Sequence, residues 1–163
     1  NQIKKKPFRL SGWWGHQSDN RFALQKEHKP IHTAEGWQLS NAPIFGMSIY
    51  RVSLQFFTQI GFEKLIVKRI QLSRYLESAI HLFNSESNHI KLNIITPGTA
   101  DKRGAQLSVH ISDSGKEIYN SLKKSGVYVD WRDPNVMRIS PVPLYNSFED
   151  VAKFYHILHA FNK

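Results

Sequence analysis

Between Ile44 and Phe62 apolar side chains recur with a helical period: in IFGMSIYRVSLQFFTQIGF, Ile49, Val52, Phe56 and Ile60 fall on one stripe. FEKLIVKRIQLSRYLESAIHLF continues the period with Leu65, Leu72, Leu76, Ala79 and Phe83. Gly61 marks the joint between these two helices. Both stripes read as core faces. The period then shortens. IKLNIIT (90–96) ends at Pro97-Gly98, and QLSVHIS (106–112) alternates apolar and polar positions, so both predict strands. GKEIYNSLKKSG predicts a short helix closed by Gly126, VYVDWR a strand after it, and VMRIS (136–140) another. Ser147 and Asp150 form a capping box for a last helix striped by Val151, Phe154, Leu158 and Phe161. That order of elements describes an α+β domain whose antiparallel or mixed sheet is covered on one face. Residues 1–43 carry no long helical period. FRLSGWW and GWQLS predict short strands bounded by glycines, and the polar DNRFALQKEHKPIHTAEG between them a surface excursion.

The 163 residues amount to about one domain. No stretch reaches the ~18–20 uninterrupted apolar residues of a membrane span, and NQIKKKPF lacks the apolar stretch of a signal peptide. Without cysteine, neither a disulfide framework nor a thiolate metal site is available. The first residue is Asn1, which points to a piece of a longer protein. A formal charge of +9 invites a nucleic-acid partner. The cations are spread along the chain, however, with only Lys4-Lys5-Lys6 in a run, and a solvated surface accounts for them. His156 and His159 share a helix with no Glu or Cys to complete a metal set, so no metal is expected.

Candidate chemistry lies elsewhere. In SGWWGHQ (11–17), Trp13 and Trp14 would face opposite sides of a strand, so only one can enter a given core. The segment is a site wall or an ordinary strand end. His16 could serve as acid, base or donor. Asn41, in QLSNAPI, either holds the turn before the first long helix or points at a ligand. Arg138 stands among Val136, Met137 and Ile139, where a guanidinium calls for an anion: an internal carboxylate or that of a ligand.

Taken in order, GWWGH (12–16), Arg21-Phe22, SNAPI (40–44), ITPGTADKRGAQLSV (95–109) and GVYVDWRDPNVMRISPVPLYNSFEDV (126–151) resemble the C-terminal portion of the kynureninase family. The resemblance runs over roughly residues 10–162, and the pairing of GWWGH with R-x-x-P-V-P-L-Y-N-S-F is its most specific part. It implies a pyridoxal-phosphate hydrolase of the aspartate-aminotransferase fold (fold type I). Residues 1–43 would end the large cofactor-binding domain and 44–163 would form the small C-terminal α+β domain of that three-layer α/β parent. The implied reaction cleaves L-kynurenine or its 3-hydroxy form to an anthranilate and alanine, the cofactor being held as a Schiff base on a lysine. By the same resemblance Trp13 and Asn41 contact the cofactor phosphate, Trp14 packs inward, His16, Ser40 and Asn41 lie near the substrate's aromatic part, and Arg138 takes its α-carboxylate. The lysine, the pyridine-nitrogen aspartate and the glycine-rich phosphate segment lie upstream in this family, so no catalytic residue is assigned here and the chain alone should be inactive. Asn41-Ala42-Pro43 departs mildly from the family's Asn-Pro-Pro. A cytoplasmic homodimer with a shared active site is also implied, with neither nucleic-acid nor membrane partner. The competing class is a basic α+β module for nucleic-acid binding or dimerisation without catalysis.

Overall fold

The computed structural model describes residues 8–23 and 25–162. The Lys4-Lys5-Lys6 run lies outside them. Two compact units, Asn1–Phe56 and Phe57–Lys163, divide the chain inside its first long helix.

In the first unit the backbone folds back on itself without forming a ladder. The Gly15 N–H donates to the Gln38 carbonyl at 3.0 Å, Gln17 N–H to the Lys29 carbonyl at 2.9 Å and Ile31 N–H to the Gly15 carbonyl at 2.9 Å. An isolated bridge joins His16 and Pro30, and Ala34–Trp37 is a turn of 3-10 helix. The strands expected over 8–14 and 36–40 are therefore absent. The cause is local: 13–16 closes as a turn, His16 N–H bonding the Trp13 carbonyl at 3.2 Å, and 36–37 is taken up by the 3-10 turn. Gly12 is needed for close approach rather than for a strand end. A Cβ there would run into the Gln38 carbonyl oxygen.

Helix α1 (Ile44–Ile60) forms as the periodicity requires, but the expected core face does not materialise, because none of its residues is buried. Ile49 is 73% and Phe56 56% exposed, and Val52 and Ile60 are uncovered too. Apolar residues lie all around this helix, and none of them is buried. Gly61, at φ 88°, separates it from α2 (Phe62–Glu86). That φ lies where a Cβ is strained, which is why the joint is glycine.

The second unit has a single core. Strands β1 (Leu92–Ile94), β2 (Leu107–Ile111), β3 (Asp130–Arg132) and β4 (Val136–Ile139) pair in the order β1-β2-β4-β3, every neighbour antiparallel. The register sets Leu92 opposite Ile111, Leu107 opposite Ile139 and Val109 opposite Met137, so one sheet face is apolar row by row. Leu72, Leu76, Ile80 and Phe83 of α2 pack there with Ile118 and Leu122 of α3 (Gly115–Lys124) and Val151, Phe154 and Leu158 of α4 (Phe148–His159). Each full burial of this kind contributes about 1.5–3 kcal/mol. The capping box of α4 has both arms: Ser147 Oγ accepts from the Asp150 N–H, and the Asp150 carboxylate accepts from the Ser147 N–H at 2.9 Å. The backbone bond from Ser147 holds the Asp150 carboxyl below the usual carboxylate range. Among the described residues, no helix is long and apolar enough to cross a membrane.

Candidate functional site

Four of the five candidate residues belong to the first unit. Trp13 is 55% exposed. Its ring meets Phe22 edge-on at 5.3 Å, and its indole N–H donates to the Arg21 carbonyl at 3.2 Å. Trp14 is half-buried beneath the Arg21 guanidinium, which lies 4.4 Å from its ring centroid. The turn thus splits the tryptophan pair into one outward and one inward ring.

His16 is buried. Its Nδ1 accepts from the Lys29 backbone N–H at 3.3 Å, which in the neutral ring leaves the proton on Nε2. That Nε2 is buried with no partner among the described residues, as are Asn20 Oδ1 and Arg21 Nε. Unpaired buried donors are costly, and two of them within six residues make this segment receptive to an anionic or carbonyl acceptor. Ser40 and Asn41 are exposed, and neither side chain has a hydrogen-bond partner among the described residues. The Gly15–Gln38 bond and the contact of Gly12 with Gln38 and Leu39 join the GWWGH turn to the segment immediately before them.

Arg138 belongs to the second unit, on the outward face of β4 between Ser108 of β2 and Asp130 of β3. Its Nε donates to Asp130 Oδ2 at 2.6 Å, and its Nη2 bonds the same oxygen. Arg132 reaches that oxygen as well, at 3.0 Å. The Arg138 hydrogen bond is the main reason the Asp130 carboxyl is held below the usual carboxylate range. Of the two anions the sequence allowed, the internal carboxylate is present, and Arg138 Nη1 has no partner among the described residues.

Two contributors escape a reading of the sequence. Asp130 lies eight residues before Arg138, and only the strand register makes them neighbours. Arg21 figures in the sequence merely as part of a motif. In the structure its Nη2 donates to the Trp14 carbonyl at 3.0 Å and the His16 carbonyl at 3.2 Å, so one guanidinium fixes the whole turn.

Comparison with known proteins agrees with this architecture. Kynureninase of Flavobacterium psychrophilum is 44% identical over 151 residues, covering 92% of this chain and 35% of that protein. Kynureninase of Christiangramia forsetii is 44% identical over 155 residues, covering 95% and 36%. Kynureninase of Xanthomonas euvesicatoria is 41% identical over 149 residues, covering 90% and 34%. The chain therefore spans about a third of the length of the curated relatives it matches. A solved structure titled NifS-like protein shares the fold, with a TM-score of 0.53 at 22% identity over 83% of this chain and 40% of its own. The family model described as Kynureninase C-terminal domain matches residues 65–158, which holds the sheet, its three helices and Arg138, and the chain belongs to that family.

Proposed function

We propose that this chain is the C-terminal part of a pyridoxal-phosphate-dependent kynureninase, a cytoplasmic homodimer that hydrolyses L-kynurenine or 3-hydroxykynurenine to anthranilate or 3-hydroxyanthranilate and L-alanine. In this reading residues 1–43 end the large domain, 44–163 form the small one, and the cofactor lysine lies upstream, so the chain is inactive alone. Arg138 carries the reading: a guanidinium on the outward sheet face, inside the matched family region, with Nη1 unpartnered among the described residues. It binds the substrate α-carboxylate as a charge-assisted pair. The GWWGH turn and Arg21 suit the phosphate of the cofactor, since an indole N–H on an exposed ring and buried unpaired donors on His16 and Arg21 are groups that an anion can take up. Trp13 and Asn41 hold that phosphate across the dimer interface, while His16, Ser40 and Asn41 line the aromatic end of the substrate. When bound, the cofactor supplies an electron sink for the bonds around the α-carbon.

Arg138→Leu in the full-length enzyme tests the reading. The specificity constant for kynurenine should fall roughly tenfold to a hundredfold, with cofactor affinity unchanged. Loss of folding with no selective effect on substrate would leave Arg138 a purely internal ion pair.

Trp13→Phe tests the phosphate contact. The indole N–H already bonds the Arg21 carbonyl, so donation to phosphate replaces a neutral hydrogen bond with a charge-assisted one. The net gain is the difference, about 1 kcal/mol, and the variant should bind cofactor roughly fivefold more weakly in an absorbance titration. Trp14→Phe, altering the inward ring, should cost modest stability and leave that titration unchanged.

A further inference from the structure

A guanidinium has five N–H donors in one plane. Asp130 Oδ2 engages Arg138 along the side formed by Nε and Nη2, which leaves the second Nη2 proton and both Nη1 protons unused. One proton from Nη2 and one from Nη1 form the end-on fork that a carboxylate meets through two parallel hydrogen bonds. We propose that Asp130 is a positioning residue, clamping Arg138 by its side so that its end-on fork is aimed at the carboxylate of the ligand. The proposal rests on Arg138 being the carboxylate-binding residue.

Three observations support it. Asp130 and Arg138 are direct cross-strand partners on one face, so two backbones fix their separation. β3 stands at the edge of the sheet, so Asp130 approaches Arg138 from one flank only, with Ser108 on the other. Arg132 shares the same carboxylate oxygen, so the cluster of two cations and one anion keeps a single net positive charge. A monocarboxylate neutralises that charge. Without Arg132 the Asp130–Arg138 pair would be neutral and would attract an anion weakly.

The clamp acts by removing rotamer freedom from a long side chain before the ligand arrives. Immobilising such a side chain corresponds to roughly two- to tenfold in affinity. As a half-exposed ion pair it should matter little to stability, which keeps the test clean.

The test uses the full-length enzyme with kynurenine and with kynurenine carboxamide, which lacks the carboxylate charge. Asp130→Ala should raise KM for kynurenine roughly two- to tenfold with kcat nearly constant, and leave KM for the carboxamide unchanged. Asp130→Asn keeps an acceptor oxygen and should restore most of the lost affinity. The urea midpoint of each variant reports whether folding is intact. A lower KM in Asp130→Ala would show that Asp130 competes with the ligand, and an unchanged KM would show that it does nothing for Arg138; either overturns the proposal. Arg138→Leu separates the two levels: if it leaves KM for kynurenine unaltered, the carboxylate role of Arg138 fails first and the clamp fails with it. If Arg138→Leu raises KM and Asp130→Ala does not, only the clamp is lost.

Discussion

Glu77→Leu should lower the unfolding free energy of this chain by about 3–5 kcal/mol, read as a shift in the urea midpoint at unchanged slope. Glu77 sits on α2 and receives the Nη2 of Arg103 at 2.6 Å. The Arg103 side chain is 1% exposed, while that of Glu77 is 25% exposed. Among the described residues the Arg103 side chain otherwise bonds the Pro97 carbonyl, at 3.3 Å, and its buried Nε has no partner. Removing the carboxylate therefore strands a cation away from water. The reverse change, Arg103→Met, leaves a carboxylate that solvent can still reach, and should cost less than Glu77→Leu. Combining the two should recover part of the loss, since replacing both partners of a buried pair by apolar groups is often tolerated. Equal costs for the two single changes would show that burial of Arg103 is not what matters.

The second large effect is expected at Phe83. It is fully buried on the last turns of α2, among the side chains that join that helix to the sheet and to α4. Phe83→Ala removes the ring from this buried cluster and leaves a cavity, a loss of about 3–5 kcal/mol. Its neighbour Leu82 is 48% exposed, and Leu82→Ala should change stability by less than ~0.5 kcal/mol. Thermal or urea unfolding of the two variants side by side checks both figures. A small effect at Phe83 would mean that the packing around it is looser than its burial implies.

Periodicity read the second unit well because each of its elements buries its pattern inside the same unit. Leu65, Leu72, Leu76 and Phe83 are buried as the stripe requires, the alternation of β2 is the alternation of its burial, and the Ser147–Asp150 box is formed. The strand expected over 127–132 shrank to 130–132, since Val127 and Val129 pack against the core without entering the ladder. Periodicity failed for α1, because a stripe states that a helix needs cover and cannot name what supplies it. It failed again over 8–14 and 36–40, where short apolar runs beside glycines suit a tight turn as well as a strand.

The candidate site was legible in part, for a related reason. Arg138 and the GWWGH turn stand out by residue type. Their supports, Asp130 and Arg21, are ordinary charged residues made important by strand register and by a backbone turn, and neither leaves a mark in spacing.

Among the described residues of 8–43 no apolar side chain is buried, and the segment holds its shape through scattered hydrogen bonds and the close seating of Gly12, Gly15 and Gly36. The consequence is kinetic. Segments with so little apolar cover open by local fluctuation, far below the free energy that opens a packed core, so the GWWGH turn breathes many times for each opening of α2 or β2. On the proposed reading, the phosphate contacts belong to a segment that opens readily, and the carboxylate contact belongs to a packed sheet.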